Sequence, residues 1–510
     1  MNDRAQRPAI ALALASLATL AAVACDPDPD YARGQWLHNT IVLDNQVFFE
    51  GAPELAPGKM AKMALDLYAY FRGTAGCYAR DLAQAGGPGY LPTAFLSEDA
   101  ADVALVGDPH LENIGTYRRG RDGLLVVDFN DFDAATYGPY HFDVRRLALS
   151  AAIASAAIDA VDPGFAEATA GAPEALVHGY VDEIAALAEA VAAGGAIAPL
   201  TEEDAPFGRI LADLVTKAKE NGGDREELGE YTQIEGGART IRLGEVEPSV
   251  EWGAGPFSQV VYADALVAVD DDDIWLIDQV LFESYPASVA DPALLGDDLA
   301  ALQVKGAARR LGAGVASYPV RRYYVLVEGP TEEIADDWIL ELKQVFDPLV
   351  VPGLEQAAGA RPYADNGARV VAMQRGLHGA ADNDPLLGHG HAGGLTFRVR
   401  ERTKYQRGLG VDRIAEKSAE GKWSAADYLE LATWAGRLLA RAHARAAKRD
   451  GAPGLPAIAA ALAEGEGGSA SFVAETVAFV DAYAPVVEAD ALRFGGLLER
   501  FGPSLGYVRR

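Results

Sequence analysis

Apolar residues that recur at helical intervals predict a helical region near the start of the chain and others further along. Between residues 59 and 82, large apolar side chains lie three or four positions apart, which places them on one buried face. Residues 151–220 are rich in alanine and predict further helices, with breaks at Pro163 and at Gly194-Gly195. Helices are also predicted from residue 401 to the C terminus.

Shorter apolar runs bounded by turn residues predict β-strands in two separate regions. The strands are predicted at 103–106, 114–118, 124–129, 321–328, 338–346 and 396–400. The second and third of them form a hairpin around the turn at 120–123. A helix is predicted at 363–377, before the last strand.

The composition places the chain among globular proteins of two or three lobes. It has 510 residues, of which 50% are hydrophobic. Its formal net charge of −30 argues against a nucleic-acid partner, because such proteins need clustered Lys and Arg to neutralise phosphates. The chain has two cysteines. They offer no disulfide framework, and Cys77 is expected to be a small buried residue in a helix.

The first 25 residues have the pattern of a signal peptide. Arg4 and Arg7 precede an uncharged run rich in Ala and Leu, which is too short for a membrane span. The run ends in Ala22-Val23-Ala24-Cys25, which resembles a bacterial lipobox, so we expect Cys25 to be lipidated and the protein to be exported and membrane-anchored on the periplasmic side of the cell envelope. Cleavage as an ordinary signal peptide is the alternative, and without a signal the protein would be cytoplasmic. Residues 26–58 are predicted to form a stiff, charged tether.

Residues suited to phosphate chemistry are concentrated in the loop at 107–113 and in the hairpin that follows it. Asp108 can accept a proton from an attacking hydroxyl, and Asn113 can offer its amide oxygen to Mg²⁺. The far end of the hairpin carries the carboxylates of Asp128, Asp131 and Asp133, which repel one another unless a divalent cation lies among them. An acidic strand end with an Asn-capped turn would explain single Asp residues. The whole pattern indicates a magnesium–phosphate site.

These two segments resemble the catalytic and metal loops of aminoglycoside and choline kinases. The shared pattern is Gly-Asp-x-His-x-x-Asn, a hairpin, and then Asp-Phe followed by Gly-Pro and a further Asp. The resemblance implies that Asp108 is the catalytic base, that Asn113 binds Mg²⁺, and that Asp143 holds the loop from below. His110 would support the loop and is a second candidate for catalysis.

Two aspartates compete for the role of principal Mg²⁺ ligand in this resemblance. Counting back from Gly138 and Asp143 favours Asp131. The apolar run at 124–127 ends directly before Asp128 and favours that residue instead. Both are kept as metal ligands.

A second constellation combines a glycine-rich turn with a lysine. Gly312, Gly314 and Ser317 lie in a loop that precedes the predicted strand 321–328, and Lys343 lies on the next strand. Kinases use this arrangement over the phosphates of ATP, where the lysine holds the α- and β-phosphates. The alternative is a hairpin lysine on a solvated face, because Lys343 points away from the face of Leu342 unless both faces of the sheet are covered.

The order of these constellations predicts a rearranged kinase architecture. Ordinary kinases have the glycine loop and lysine before the catalytic loop, whereas here they follow it. We therefore expect an α+β, protein-kinase-like fold of two lobes that is circularly permuted. Residues 59–300 would form a mostly helical catalytic lobe with an acidic insertion, residues 301–400 a small antiparallel β nucleotide lobe, and residues 401–510 helices that complete the catalytic lobe.

The nucleotide lobe departs from the kinase pattern at three positions. Ala316 and Pro319 stand where the pattern has glycine, so the turn would be stiffer. Ala372 occupies a helix position that is often acidic in relatives, and Glu355 is the candidate ion-pair partner of Lys343.

More of the chain resembles a bacterial family, domain of unknown function 2252. The matching pieces are Phe71-Arg72-Gly73 and the segments 107–115, 128–147, 323–329, 342–343, 367–375 and 439–445. They keep their order across most of residues 59–450. This resemblance bears on the fold more than on the activity.

Two other clusters of polar residues are interpreted as structural. Asp270-Asp271-Asp272-Asp273 predicts a solvated hairpin tip, because a calcium loop spaces its oxygen ligands along the chain. His389-Gly390-His391 lacks a third metal ligand at a recognisable spacing and predicts a mobile glycine loop.

Three functions are compatible with these patterns. The first is a kinase-like phosphotransferase that uses ATP and Mg²⁺ on an unidentified small-molecule or protein acceptor. The second is a catalytically inactive, kinase-shaped lipoprotein of the envelope that acts as a binding module. A metallophosphoesterase ranks last, because the further Asp and His ligands of a two-metal site are missing.

Overall fold

The computed structural model describes residues 29–120, 122–204, 207–223, 225–245, 248–252, 259–262, 264–348, 363–378 and 384–508. The signal segment with Cys25, and the candidate ion-pair residue Glu355, lie outside these residues. Helices and small antiparallel sheets are both present, so the α+β class is confirmed.

The helices of the described residues are the following. They are α1 (Pro29–Asp44), α2 (Gln46–Gly51), α3 (Ala56–Met63), α4 (Leu67–Gly73), α5 (Ala75–Ala83), α6 (Tyr140–Asp159), α7 (Phe165–Ala168), α8 (Ala172–Ala192), α9 (Gly208–Gly223), α10 (Glu226–Tyr231), α11 (Asp271–Asp278), α12 (Asn366–His378), α13 (Val411–Ala419), α14 (Ala425–Arg445), α15 (Gly454–Glu464) and α16 (Gly468–Phe501).

The strands follow the same chain order. They are β1 (Val103–Leu105), β2 (Ile114–Arg118), β3 (Leu125–Phe129), β4 (Thr136–Gly138), β5 (Leu200–Thr201), β6 (Thr232–Glu235), β7 (Ala238–Ile241), β8 (Pro248–Trp252), β9 (Gln259–Tyr262), β10 (Ala265–Val267), β11 (Val304–Leu311), β12 (Arg322–Val327), β13 (Trp338–Gln344), β14 (Gly388–Ala392) and β15 (Leu395–Glu401).

The helices build the larger hydrophobic core. Helix α14 packs along α8, and α6 and α16 pack against the same group. Leu147, Tyr180 and Leu439 are among the side chains fully buried there. Burial of such side chains is the main driving force for folding, so these helices form the base on which the polar loops lie.

The β-strands of the C-terminal half form one six-stranded antiparallel sheet in the order β10-β11-β12-β13-β15-β14. Its central strand β13 alternates between two environments. Leu340 and Leu342 are buried in a second core behind the sheet, while Glu341 and Lys343 face the opposite way and are also buried. Both faces of the sheet are therefore covered, which removes the solvated-face interpretation of Lys343.

The segment predicted as a tether is helical from Pro29 onward and packs against the body. Arg33 forms ion pairs with Asp81 and Asp490, and Leu37 and Ile41 are almost fully buried. The prediction was wrong because the helix is held by partners far away in sequence, with little apolar patterning of its own.

Three local predictions are corrected as well. The helical region at 59–82 is divided into α3, α4 and α5. Asp270 is the N-cap of α11 and accepts from Asp273 N, because carboxylates stabilise helix N-termini, so this segment is no hairpin tip. The segment of His389 and His391 is strand β14, where a Cβ at Gly388 would lie 2.7 Å from Tyr285.

Among the described residues, one helix has the length and apolar composition of a membrane-crossing helix. It is α16, and 39% of its most apolar window is buried inside the protein. Core helices of soluble proteins share these properties, so the observation assigns no membrane span. Cys77 is buried in α5, as predicted.

Candidate functional site

A cleft of about 270 Å³ lies between the helical body and one end of the six-stranded sheet. Six of the residues singled out from the sequence line it: Asp108, His110, Asn113, Asp131, Ser317 and Lys343. They come from the catalytic-type loop, from the loop after β3, from the glycine turn and from β13. The fold thus brings together residues that are up to 235 positions apart in the chain.

Asp108 is held at the edge of the cleft by an arginine that the sequence analysis did not single out. Arg146 of α6 donates from Nε to Asp108 Oδ1 at 2.9 Å and also contacts the ring of Phe71. Asn113 donates from Nδ2 to the carbonyl oxygen of Asp108 at 2.8 Å. This bond orients the amide of Asn113 and leaves its oxygen as the atom that can accept a metal.

Asp143 holds the loop from below, as predicted. Its carboxylate accepts from the backbone N–H groups of Val106 at 2.6 Å and Gly107 at 3.1 Å. The same carboxylate lies 3.1 Å from Nε2 of His443, whose other ring nitrogen bonds to Tyr180. A buried hydrogen-bonded chain therefore fixes the start of the loop.

The loop and the acidic segment after β3 touch through their backbones. Gly107 has a φ of +88°, and a Cβ at this position would lie 2.0 Å from the carbonyl oxygen of Ala134. Only glycine permits this approach. Gly107 therefore sets the distance between Asp108 and the carboxylates of the second loop.

Lys343 is the point at which the sheet meets these carboxylates. Its Nζ lies 3.2 Å from Asp131 Oδ2 and 2.5 Å from Asp133 Oδ2, while the lysine side chain is 4% exposed. Burial alone would raise the pKa of Asp131, but Lys343 and Arg398 hold that pKa well below its usual value. Asp131 is therefore ionised and poised for a cation.

His110 is buried beside the cleft and is neutral. Burial lowers its pKa well below the usual value, and the nearby cations Arg72 and Arg146 add to the effect. Its Nδ1 has no hydrogen-bond partner among the described residues, and its ring stands edge-on to Tyr68. This environment suits the supporting role more than proton transfer.

Asp128 does not line the cleft. It is 1% exposed, its Oδ2 lies 2.5 Å from Nη2 of Arg445, and its Oδ1 accepts from its neighbour's backbone N–H. A carboxylate committed to a buried arginine is a poor ligand for an exchangeable ion. Of the two candidates, the geometry favours Asp131.

The glycine turn connects β11 to β12 and approaches the cleft through Ser317. Gly312 and Gly314 have φ values of +78° and +77°, which suit glycine, but neither lines the cleft. Lys62 donates to the carbonyl oxygen of Gly312 at 2.9 Å, and Arg322 donates to Ser317 Oγ at 3.2 Å. The turn is therefore tied to both the helical body and the sheet.

Sequence reasoning did not single out several residues of this site. Lys59 lines the cleft, bonds to Asn45 at 2.5 Å, and has its pKa lowered to about 8 by burial, with Asp44 opposing the effect. No local motif marks such a lysine. His443, in contrast, lay within one of the matching segments, at 439–445, and could have been examined as a partner of Asp143.

The residues present fit a magnesium ion only together with a ligand that supplies oxygen. Within the described residues, no group of three or more His, Cys, Asp or Glu side chains could hold a metal by itself. Mg²⁺ is commonly bound through one or two protein oxygens plus phosphate oxygens and water. Asn113 and Asp131 provide such a partial set.

A family model described as an uncharacterized protein conserved in bacteria (DUF2252) matches residues 52–495. The chain belongs to this family. The DUF2252 match includes the helical body, the sheet and all six predicted residues of the cleft, so the family resemblance read from the motifs is confirmed. No curated protein and no solved structure shows a significant match to the chain.

Proposed function

We propose that this DUF2252 protein is a phosphotransferase that uses ATP and Mg²⁺ to phosphorylate a hydroxyl group of an acceptor. The observation that carries the proposal is the contact of Lys343 with Asp131 and Asp133 across 212 residues of sequence, beside Asp108 and Asn113. A base, a partial metal site and a buried lysine at one cleft are the parts that phosphoryl transfer requires.

The order of elements in the sheet supports a kinase-like interpretation. Strand β11, the glycine turn, β12, the lysine strand β13 and helix α12 follow one another along the chain. Protein kinases have a glycine-rich loop, a lysine on the third strand and then helix C in this order. In this chain the block follows the catalytic-type loop, which is the basis for proposing a circularly permuted two-lobed fold.

The proposed chemistry assigns one task to each group. Asp108, oriented by Arg146, accepts the proton of the acceptor hydroxyl. The acceptor oxygen bonds to the terminal phosphorus while the bond from that phosphorus to the bridging oxygen breaks, and ADP leaves. Mg²⁺ neutralises phosphate charge, held by Asn113 and Asp131, and Lys343 binds phosphate oxygens.

One feature of the cleft differs from protein kinases. In kinases the lysine pairs with a glutamate of helix C, whereas here the lysine pairs with Asp131 and Asp133. Helix α12 instead sends Arg369 to the backbone carbonyls of Asp133 and Ala135. We infer that a cation at Asp131 frees Lys343 for phosphate, so metal and nucleotide should bind cooperatively.

Thermal unfolding of the full chain tests the proposal directly. Mg²⁺ with ATP should stabilise the protein by about 2.7 kcal/mol when ATP is at a hundred times its Kd, and each component alone should have much less effect. Asp131→Asn and Lys343→Met should remove the stabilisation. Asp102→Asn is the matched control, because Asp102 forms a half-exposed pair with Arg449 outside the cleft.

Other outcomes separate the alternatives. No shift with millimolar Mg²⁺ and ATP would refute the phosphotransferase and favour a binding module. Cleavage of phosphate esters with Mn²⁺ and no nucleotide would instead indicate a metallophosphoesterase.

We also propose that the protein is exported and anchored through a lipid on Cys25. The support is the signal-type segment alone, and export would favour the binding module because extracytoplasmic compartments hold little ATP. Incorporation of a radioactive lipid precursor into the wild-type chain, and its loss in Cys25→Ala, is the expected result. A protein that stays in the cytoplasm unlabelled would refute the anchor and leave the enzyme proposal intact.

A further inference from the structure

Three cations lie side by side on the cleft-facing side of the sheet. Arg322 of β12 pairs in register with Lys343 of β13, which pairs in register with Arg398 of β15. The three residues are called the cation row. Side chains directly opposite one another on neighbouring strands are close enough to interact, and like charges at such positions destabilise a sheet.

The row is compensated in part by one buried glutamate. Glu341 lies two residues before Lys343 on the same face and accepts from Arg398 at 2.8 Å and from Arg400 at 3.3 Å. Arg322 lies 3.9 Å from the same carboxylate. A single carboxylate therefore serves three arginines.

The remaining acidic partners are the ones that the metal would take. Asp131 and Asp133 pair with Lys343, and Asp133 Oδ1 is 3.8 Å from Nη1 of Arg398, which is beyond hydrogen-bond distance. Arg398 is 1% exposed, and its Nε and Nη1 have no hydrogen-bond partner within the described part of the chain. Buried unpaired donors on a cation are costly, and an anion would satisfy them.

The row is connected to the cleft along its length. Lys343 lines the cleft, Arg322 bonds to Ser317 of the glycine turn, which also lines it, and Arg398 adjoins the cleft residue Asp133. Two strand spacings give the row a length of about 10 Å. A chain of linked phosphates has the charge and the extended shape to contact all three cations, unlike a single phosphate.

We propose that the cation row binds the phosphate chain of the donor, with Arg322 and Arg398 as phosphate-binding residues on either side of Lys343. The inference rests on the proposed phosphotransferase function and extends it to the class of donor. Recognition comes mainly from the linked phosphates, so a nucleoside triphosphate and an inorganic triphosphate both bind. Arginine is suited to this task because its planar fork makes paired bonds to phosphate.

Calorimetric titration of the full chain with four Mg²⁺-containing solutions tests the inference. The ligands are ATP, inorganic tripolyphosphate, inorganic phosphate and adenosine. We expect ATP and tripolyphosphate to bind with affinities within about tenfold of each other and adenosine not to bind. Tripolyphosphate that fails to bind where ATP binds would overturn the inference, because affinity would then come from the nucleoside.

Two substitutions and a neighbouring control locate the binding on the row. Arg322→Gln should weaken ATP binding at least about tenfold, because it removes a charged hydrogen-bond donor, and it should flatten the salt dependence of the affinity. Arg322→Lys, which keeps the charge, should lose less. Arg321→Gln should bind as the wild type does, because Arg321 bonds to Asp273 and to Tyr323, which belongs to the core behind the sheet.

The results also distinguish the inference from the function on which it rests. If Arg322→Gln binds ATP as tightly as Arg321→Gln while Lys343→Met does not bind, the row is not the phosphate site and the phosphotransferase proposal stands. If no phosphate compound binds the wild-type chain, both proposals fail. Unchanged circular dichroism of each variant shows that the comparison is made between folded proteins.

Discussion

Removal of Arg445 should show that Asp128 is part of the structure and does not serve as a metal ligand. Both side chains of this pair are almost fully buried, with exposures of 3% for Arg445 and 1% for Asp128. Arg445→Met would leave the carboxylate uncompensated in the interior and would also remove the donor to the carbonyl oxygen of Leu377. Breaking one side of a buried pair costs about 3–5 kcal/mol, so we expect a loss of that size in the free energy of unfolding.

Urea denaturation at pH 7 measures this loss from the shift of the midpoint at constant slope. The double variant Asp128→Asn with Arg445→Met should be more stable than the sum of the single effects predicts, by about 2 kcal/mol, because no buried charge then lacks a partner. Arg449→Met is the control and should cost less than about 1 kcal/mol, since its pair with Asp102 is partly exposed.

Two results would refute this reasoning. One is a loss below about 1 kcal/mol for Arg445→Met, since a buried uncompensated charge cannot cost so little. The other is additivity of the two single substitutions. At a temperature where Asp128→Asn remains folded, this variant should keep the Mg²⁺-dependent response to ATP that Asp131→Asn loses, and loss of the response in both would return Asp128 to the metal site.

Three further substitutions give distinct readouts. Lys59→Met should raise the free energy of unfolding by up to about 3 kcal/mol at pH 7, because burial lowers the pKa of Lys59 to about 8. The folded state therefore binds fewer protons than the unfolded state between pH 8 and 10.5, wild-type stability rises across that range, and the advantage of the variant should vanish above it; an advantage that does not change with pH would contradict this. Asp384→Asn should stabilise the protein at pH 8 by on the order of 3 kcal/mol, because burial raises the pKa of Asp384 to about 6. The wild type loses stability as pH rises through this value, so urea midpoints of the two proteins should converge near pH 4, and a constant difference would refute the assignment. Gly107→Ala should cost at least about 2 kcal/mol and abolish the ATP response, because its Cβ would meet the Ala134 carbonyl; a variant as stable as the wild type would show that the two loops are not in contact.

Local patterns were sufficient to predict the hairpin and the loop that it follows. The bounds of β2 agree with the predicted strand, and those of β3 differ by one residue. Both strands are fully apolar runs between turn residues, and their pairing needs only the short turn between them. The same locality made Asp108, Asn113 and Asp143 recognisable as one unit.

Local patterns failed where distant partners decide the structure. The acidic run at 270–273 was interpreted as a hairpin tip, although it caps a helix whose apolar residues pack behind the sheet. The segment of α1 was interpreted as a tether, although Arg33 is held by Asp490 across 457 residues. Neither partner is visible in the neighbouring sequence.

The sequence alone determined which chemical groups this protein has for phosphate chemistry, because a base, an amide and a metal-type carboxylate follow one another within 24 residues, from Asp108 to Asp131. Only the tertiary structure decided how they are used. It directed Arg445 to Asp128 and Lys343 to Asp131, and it aligned Arg322, Lys343 and Arg398 across three strands. The physical reason is that burial and ion pairing depend on contacts in space, and here those contacts join residues more than 200 positions apart.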